Sequence, residues 1–319
     1  MNNITILTEA GKKIGFGHYT RCSSLYKVLT NFGNQVRFVV YENEYAINDP
    51  NILSINWLKS IDSISPIEKN DFVIIDSYLA DGNIYTQLAK RFNKVVVIDD
   101  YNRMSYPVDV VVNPNVFFED VNYFNQTAVC IGGKDYVILR QEFTQVEPQV
   151  IKNRKLKNIL ITIGGSDFRN LLPKLISICE HQKGTNITVI DPESKVVPHH
   201  QHLRVLPTQS AAQMVHEMKR ADVVISACGQ TLHELVAIQK PTIGICLDND
   251  QVPNQSFYTK HGFLSETIQW NDKIIDNKIA DQLIYFSLSA NRKRASKMCK
   301  SLVGYNGAQN IASYINTLQ

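Results

Sequence analysis

Short apolar runs alternate with amphipathic stretches along almost the whole chain. The apolar runs are four to six residues long and rich in Val and Ile. Continuous apolar strands separated by helical crossovers are typical of parallel sheets that are covered on both faces. The predicted strands are 4–7, 36–40, 72–76, 95–99, 108–112 and 128–131, then 158–163, 186–190, 203–206, 222–226 and 241–246, and the predicted helices include 19–31, 171–181, 210–220 and 231–238.

The strand pattern starts afresh near Asn158, as if the fold began a second time. The preceding segment 144–157 is polar, contains Pro148 and ends in a basic stretch. We therefore predict two α/β domains, residues 1–146 and 155–319, each of ordinary domain size. The alternative is one doubly wound sheet, which would need more than about ten parallel strands and is unusual.

Composition narrows the class of protein. The 319 residues are 44% hydrophobic and 20% charged, as in ordinary globular proteins. A net charge of +3 gives no reason to expect a nucleic-acid partner. The apolar runs are too short to cross a membrane, and the first residues do not resemble a signal peptide. Six scattered cysteines without a CxxC pair favour free thiols. We expect a soluble, cytoplasmic protein without stable membrane insertion.

A glycine-rich turn, GKKIGFGH at 11–18, joins the first predicted strand to the first helix. It differs from a dinucleotide fingerprint because the third glycine position is Thr20 and the second strand ends in Tyr41 rather than an acidic residue. Glycines allow the backbone to approach a ligand closely. His18 falls at the start of the helix, whose N-terminus disfavours the imidazolium cation and so suits a general base. The alternative is a surface histidine that caps the helix.

Two further turns lie in the second half. The first, ITIGGSD at 161–167, ends a strand in small residues and can present backbone N–H groups to a phosphate. The second is VISACGQTLHE at 224–234. There Gly229 starts a helix whose first amides can cradle a diphosphate, and Glu234 can accept hydrogen bonds from both ribose hydroxyls. A capping box formed by Thr231 and Glu234 is the alternative.

Ordered short motifs over nearly the full length carry a resemblance to a known family. They are GFGH at 15–18, RC at 21–22, DSY at 76–78, VIDD at 97–100, VNPN at 112–115, GGKDY at 132–136, LRQEF at 139–143, IGGSD at 163–167, GQTLHE at 229–234 and KPTI at 240–243. The chain resembles the UDP-sugar hydrolases of pseudaminic acid biosynthesis and related polysaccharide-biosynthesis proteins, which are similar to the GT-B glycosyltransferase that makes lipid II. The resemblance implies a GT-B α/β fold, with two Rossmann-like, doubly wound parallel-sheet domains, an interdomain cleft, and UDP on the C-terminal domain.

The resemblance also implies an activity, namely inverting hydrolysis of a UDP-sugar at the anomeric carbon, as in UDP-2,4-diacetamido-2,4,6-trideoxy-β-L-altropyranose hydrolases. His18 would activate water, Tyr78 would position sugar or water, and Glu234 would hold the ribose. No metal or other cofactor is expected, because helix amides and side chains can stabilise the leaving diphosphate. The other predicted site residues are Gly15, Gly17, Arg21, Asp76, Asp99, Asp250, Gln251 and Asn254 for the substrate, and Gly164, Gly165, Ser166, Cys228, Gly229, Gln230 and Thr231 for the nucleotide.

The sequence departs from the family pattern at four places. The turn usually reading Gly-Gly-Ser is CGQ at 228–230, and the aromatic residue before the ribose glutamate is His233. The family's Asn-Gln pair is DQ at 250–251, or is shifted to NQ at 254–255. The motif Asp-Gly-x-Gly-Ala has become GYNGA at 304–308. The last two changes fall where sugar recognition or domain closure is expected, so the identity of the sugar stays open.

Three other sequence patterns could suggest functional sites, and we interpret them without one. The acidic triplet DND at 248–250 resembles metal ligands of other glycosyltransferases, and we interpret it as a polar loop. The histidine-rich HHQH at 199–202 could bind a metal by composition, but it has no cysteine or carboxylate nearby in sequence. The basic run RKR at 292–294 is interpreted as a solvated helix face.

Two other functions remain open. The nearest is a GT-B glycosyltransferase, in which His18 would deprotonate an acceptor hydroxyl instead of water. The other is a non-catalytic protein that binds a nucleotide-sugar. The N-terminal half shows no clear basic amphipathic patch for docking at a membrane, which favours hydrolysis over transfer to a membrane-bound acceptor.

Overall fold

The computed structural model describes residues 2–11, 14–43, 49–64, 71–147 and 150–318. Residues 12–13 of the first glycine-rich turn and Pro148 of the predicted linker therefore lie outside the described residues. The chain forms two compact units. One contains the residues up to Arg140 together with those from Gly304 onward, and the other is Gln141–Val303.

Strands and helices alternate in both units. The strands are β1 (Asn3–Gly11), β2 (Gln35–Asn43), β3 (Ile52–Ser54), β4 (Phe72–Asp76), β5 (Lys94–Ile98), β6 (Val110–Asn113), β7 (Val129–Gly132), β8 (Asn158–Thr162), β9 (Asn186–Ile190), β10 (Leu203–Leu206), β11 (Val223–Ala227), β12 (Thr242–Cys246) and β13 (Ile268–Gln269). The helices are α1 (Gly17–Asn31), α2 (Gly82–Arg91), α3 (Gln141–Thr144), α4 (Leu172–Glu180), α5 (Ala211–Arg220), α6 (Gln230–Ala237), α7 (Val252–Lys260), α8 (Ile275–Ser287), α9 (Ser289–Met298) and α10 (Gly307–Thr317), with 3₁₀ turns at Ile61–Ser63, Phe118–Asp120, Lys134–Tyr136 and Asn249–Gln251.

The first unit is built on a parallel sheet. Among the described residues this sheet has seven strands in the order β3-β2-β1-β4-β5-β6-β7. The Val- and Ile-rich central strands bury side chains on both faces, because α1 and α10 cover one apolar cluster and α2 covers the other. The jump from β1 to β4 brings the ends of two strands that are distant in sequence side by side.

The second unit repeats this design. Within the described part of the chain its parallel sheet has six strands in the order β10-β9-β8-β11-β12-β13. Residues from α4 and α8 pack on one side of the sheet, and residues from α3, α5 and α6 form the other cluster. The sequence prediction of two α/β parallel-sheet domains is therefore confirmed.

The C-terminal helix joins the first unit rather than the second, to which the sequence-based division assigned residues 304–319. Helix α10 packs against α1, and its apolar residues Ile311 and Ile315 are buried in the core of the first unit. Gly307 permits this contact, because a Cβ atom at that position would lie only 2.0 Å from the backbone oxygen of Val137. The GYNGA motif is thus explained by packing within the first unit.

Part of the basic run at 292–294 also differs from the expected solvated face. Arg294 is exposed, but Arg292 is buried on α9. The guanidinium of Arg292 donates hydrogen bonds to the backbone oxygens of Phe286, Ser287 and Arg154. Arg292 therefore ties the α8–α9 junction to the segment that precedes β8.

A helix that crosses a membrane needs about 20 mostly apolar residues in succession. None of the helices among the described residues is both long enough and apolar enough to do so.

Candidate active site

The first unit gathers its polar residues where neighbouring strands end. Asp76 is the last residue of β4, Asp99 and Asp100 follow β5, and His18 lies in the first turn of α1. Because parallel strands end at the same edge of a sheet, these side chains come together although up to 82 residues separate them. The structure thus places several of the predicted site residues in one buried cluster.

His18 and Asp76 form a hydrogen-bonded pair. Nδ1 of His18 lies 2.6 Å from Oδ1 of Asp76, and both side chains are buried. Burial by itself would raise the pKa of Asp76, but the charge of Arg21 and the hydrogen bonds from Arg21 and His18 outweigh it and hold this pKa well below its usual range. The shared proton therefore belongs to Nδ1 of His18. This hydrogen bond fixes the tautomer in which Nε2 carries the basic lone pair.

Arg21 links two carboxylates beside this pair. Its Nε and Nη2 donate to Asp76 at 2.5 and 2.6 Å, and its Nη1 donates to Asp100 at 2.7 Å. Burial opposes the cation, but Asp100 and Asp76 more than compensate and raise the pKa of Arg21. One cation between two carboxylates leaves a net charge of −1 while His18 is neutral.

Tyr78 lies against the histidine. The rings of Tyr78 and His18 meet edge to face with centroids 4.3 Å apart, and the Tyr78 hydroxyl donates a hydrogen bond to Asp100. Burial, followed by the charge of Asp100, raises the pKa of Tyr78. The side chain therefore stays a neutral phenol, able to accept a further hydrogen bond but unsuited to act as a base.

Two members of the cluster were named from the sequence only as parts of motifs and not as site residues, Asp100 in VIDD and Asn115 in VNPN. Asp100 accepts hydrogen bonds from Arg21, from Tyr78 and, at 2.6 Å, from the side-chain amide of Asn115. Asn115 follows β6, next to the end of β5. The signal that could have identified both is a polar residue after each of several adjacent buried strands.

The remaining predicted residues of the first unit support the backbone. Asp99 accepts hydrogen bonds from the Arg103 amide at 3.1 Å and from the Tyr106 hydroxyl at 2.7 Å, so it holds the segment after β5. Gly15 adopts a φ of +84°, which only glycine adopts readily, and its N–H bonds back to the Gly11 oxygen at 2.7 Å. Gly17 begins α1.

In the second unit the turn after β8 contains Gly164, Gly165 and Ser166. Gly164 has a φ of +103°, so this position favours glycine. The turn does not pass straight into a helix, because α4 begins only at Leu172, one residue after the predicted start. The amides of Leu171 and Leu172 already donate to the Asp167 carboxylate, at 2.7 and 2.9 Å. An anion at this turn would therefore contact loop amides rather than the α4 N-terminus.

The turn after β11 differs in this respect. Gly229 is the N-cap of α6, so this turn passes straight into a helix. Thr231 lies inside α6, so the alternative of a Thr231–Glu234 capping box is wrong. Cys228 and Glu234 are buried, whereas Gln230 and Thr231 are partly exposed. A helix N-terminus that begins at a glycine is suited to bind an anion through its backbone N–H groups.

The three predicted site residues after β12 have different surroundings. Oε1 of Gln251 accepts hydrogen bonds from the backbone N–H groups of Cys228 at 3.2 Å and Leu247 at 3.1 Å, so Gln251 ties the β11 turn to the end of β12. Asp250 is exposed. Asn254 is buried, and its Oδ1 meets no hydrogen-bond donor among the described residues.

The histidine-rich segment 199–202 has the carboxylate partner that the sequence did not reveal. Nε2 of His199 and Nε2 of His200 lie 2.6 and 2.9 Å from Oε1 of Glu180. The backbone N–H of His202 donates to Nδ1 of His200, which places the proton of the neutral ring on Nε2, facing Glu180. In this arrangement the segment is a hydrogen-bonded acid–imidazole cluster on the surface.

The chain matches no protein-family model, but it has named relatives. It is 29% identical over 269 residues to the uncharacterized protein MJ1062 of Methanocaldococcus jannaschii, covering 75% of this chain and 54% of that protein. It is 24% identical over 274 residues to the Helicobacter pylori "Pseudaminic acid cytidylyltransferase and UDP-2,4-diacetamido-2,4,6-trideoxy-beta-L-altropyranose hydrolase", covering 83% of this chain and 48% of that protein.

A third relative is the spore coat polysaccharide biosynthesis protein SpsG of Bacillus subtilis. It is 24% identical over 283 residues, which cover 81% of this chain and 80% of SpsG. The chain spans about half the length of the first two relatives. These relatives confirm the resemblance identified from the sequence motifs.

Solved structures define the class of fold. MurG of Acinetobacter baumannii superimposes with a TM-score of 0.64 at 14% identity, covering 100% of both chains. The glycotransferase of kitacinnamycin gives 0.69 at 12% identity over 99% of this chain and 98% of that one. TcCGT1, solved in complex with UDP, gives 0.67 at 12% identity over 99% of both. The chain therefore has the GT-B fold, as predicted.

Proposed function

We propose that this protein is a nucleotide-sugar hydrolase, which cleaves a UDP-linked sugar at the anomeric carbon and releases UDP and the free sugar. The observation that carries the proposal is the buried His18–Asp76 pair. Asp76 holds the proton on Nδ1, so Nε2 can accept a proton from water as the water attacks the sugar. Asp76 remains hydrogen-bonded to the ring as the ring takes up this proton.

Nucleotide binding is proposed at the carboxyl edge of the second sheet. The amides at the start of α6, where the N-cap residue is Gly229, would bind the diphosphate and stabilise it as the leaving group. Glu234, in the second turn of α6, would accept the ribose hydroxyls. If these amides stabilise the negative charge of the leaving diphosphate, no metal ion is needed there. The names of the H. pylori and B. subtilis relatives agree with such a substrate and with a role in surface-glycan synthesis.

The second candidate is a glycosyltransferase, which the names of several structural neighbours favour. There the same His18 pair would deprotonate an acceptor hydroxyl instead of water. Both candidates share a single displacement, so the sugar would change its anomeric configuration in either case. They differ in their need for an acceptor. The hydrolase would release UDP without one, whereas the transferase would release UDP only when an acceptor is present.

The deciding experiment incubates the purified protein with a panel of UDP-sugars and no acceptor. We expect UDP and free sugar in equal amounts, and NMR of the early product should show the anomer opposite to the donor. His18→Asn should retain UDP affinity but lower kcat by about two to four orders of magnitude, as for loss of a general base. His216→Asn, an exposed change on α5, is the matched control.

UDP release that begins only when an acceptor sugar or lipid is added would replace the hydrolase with the transferase. UDP binding without turnover under both conditions would leave a non-catalytic nucleotide-sugar-binding protein. Full activity of His18→Asn would remove His18 from the chemistry.

A further inference from the structure

Two charged side chains outside the proposed mechanism bind the backbone of Tyr78. Oε1 of Glu9 accepts a hydrogen bond from the Tyr78 N–H at 2.8 Å, and the Arg103 guanidinium donates one to the Tyr78 carbonyl oxygen. Glu9 lies on β1 and Arg103 follows β5, whereas Tyr78 follows β4 between them in the sheet. The backbone N–H and C=O groups of Tyr78 are therefore both bound by charged side chains. One of these lies on the neighbouring strand β1, and the other lies on the segment after the neighbouring strand β5.

Glu9 is fully buried, which is costly for a carboxylate unless hydrogen bonds compensate. Its second oxygen accepts a hydrogen bond from the Ser77 hydroxyl. That hydroxyl in turn accepts hydrogen bonds from the N–H groups of Leu79 at 3.1 Å and Ala80 at 3.0 Å. Through Ser77, Glu9 thus fixes the turn 77–80 as well as the Tyr78 amide.

Arg103 holds the carbonyl side of the same turn. Its Nη2 donates to the backbone oxygens of Ser77 at 3.0 Å and Ala80 at 3.1 Å, in addition to the bond from Nη1 to Tyr78. Its own backbone N–H is held by Asp99. Three carbonyl groups can share one guanidinium because its planar fork carries several donors in a fixed geometry, which a lysine ammonium lacks.

We propose that Glu9 and Arg103 are positioning residues that set the place of the Tyr78 ring beside His18, a role that rests on the proposed function. The Tyr78 hydroxyl is oriented by Asp100, but its ring can lie 4.3 Å from the imidazole only if the backbone is held as well. A displacement of about 1 Å in such a site costs up to roughly 100-fold in rate.

The test compares Glu9→Gln and Arg103→Lys with matched changes at exposed residues, Glu119→Gln and Arg91→Lys. Glutamine leaves either Ser77 or the Tyr78 amide without its acceptor, and lysine cannot serve three carbonyls. For both variants kcat on the UDP-sugar should fall by about 10- to 100-fold, with UDP affinity within twofold of the parent. The control variants should match the parent in both measurements.

A double-mutant comparison separates positioning from general stabilisation. If Glu9 acts through Tyr78, adding Glu9→Gln to a Tyr78→Ala variant should lower kcat by less than about twofold, because coupled effects are not additive. A second full loss of 10-fold or more in the Tyr78→Ala background would overturn the proposal.

A measurement independent of activity keeps this inference apart from the proposed function. Hydrogen exchange at the Tyr78 amide should be about tenfold faster in Glu9→Ala, which removes both acceptor oxygens, than in the parent and in Glu119→Ala. Unchanged exchange would overturn the role of Glu9 even if kcat fell. A parent protein that hydrolyses no UDP-sugar would instead refute the hydrolase, while the exchange experiment would still decide whether Glu9 holds Tyr78.

Discussion

The buried charges around Arg21 make the stability of the first unit depend on pH. The pKa of Asp100 is lowered because Arg21 outweighs the burial that would raise it. A carboxylate with a lower pKa in the folded than in the unfolded state, where it is about 3.9, contributes its full stabilisation above that value. This contribution is lost as the pH falls from about 4 through the folded pKa.

We therefore predict that Asp100→Asn destabilises the protein by on the order of 3 kcal/mol near pH 7, since it breaks a buried ion pair. The difference from the parent should shrink as the pH falls below about 4, because the unfolded chain then takes up a proton at Asp100 while the folded parent still holds the carboxylate. Urea unfolding can be followed by the fluorescence of Trp57, buried in the first unit, in a Trp270→Phe background. Asp120→Asn is the exposed control. An equal destabilisation at pH 7 and pH 3 would contradict the ion-pair account.

At the level of residues, the sequence could predict which side chains belong to the candidate site better than how they are bonded. His18 stands out because it adjoins a glycine turn, whereas Asp76 and Tyr78 were predicted from the DSY motif of the family resemblance. The link from Arg21 to Asp76 and Asp100 joins residues 55 and 79 positions apart, so it depends on strand order rather than on local pattern. The roles of the predicted residues in catalysis and binding remain predictions.

Strands were easier to predict from the sequence where both of their faces are buried. Each of the eleven predicted strands corresponds to a strand of the structure. The strands inside the sheets are largely apolar because both of their faces are buried. The strands β3 and β13 were missed, because three and two residues are too few to form a recognisable pattern.

The start of α10 provides a prediction at the level of an element. A Cβ atom at residue 307 would lie 2.0 Å from the Val137 oxygen and 2.7 Å from the Tyr136 carbonyl carbon, both backbone atoms that cannot simply rotate away. Gly307→Ala should therefore displace the helix and destabilise the first unit by about 3 kcal/mol, the upper part of the range for overpacking.

The matched control is Gly82→Ala, at the first residue of α2, where an added Cβ atom meets no atom of the described residues within 4 Å. It should be neutral or slightly stabilising, since alanine favours helix and restricts the unfolded chain. The Trp57 fluorescence experiment measures both variants. Equal stability of the two variants would show that α10 does not approach residues 136–137 as closely as the structure indicates.

At the scale of the whole molecule, the chain leaves the first unit after Arg140 and returns to it at Gly304. Sequence pattern could not reveal this return, because the amphipathic helix α10 could cover a face of either sheet. Its assignment depends on the close packing of Gly307 and on the apolar residues that meet α1. The second unit is continuous in sequence, and its two apolar clusters are formed by residues between Phe143 and Ala295.

This topology predicts different behaviour for the two units when they are expressed separately. The fragment 141–303 retains its own clusters and should fold cooperatively, with UDP raising its melting temperature if the proposed nucleotide site is correct. The fragment 1–140 lacks α10 and exposes the surface that buries Ile311 and Ile315. Burying an isoleucine contributes about 1.5–3 kcal/mol, so the two together approach the whole stability of a small domain.

The fragment 1–140 should therefore aggregate or lack a cooperative melting transition by circular dichroism. Joining residues 304–319 to Arg140 through a short Gly/Ser linker should restore the transition. The matched control carries the same linker and helix with Ile311→Asp and Ile315→Asp, and it should stay unfolded, because burying two unpaired carboxylates is strongly unfavourable. A stable fragment 1–140 without α10, or rescue by the control helix, would show that the C-terminal helix is dispensable to the first unit.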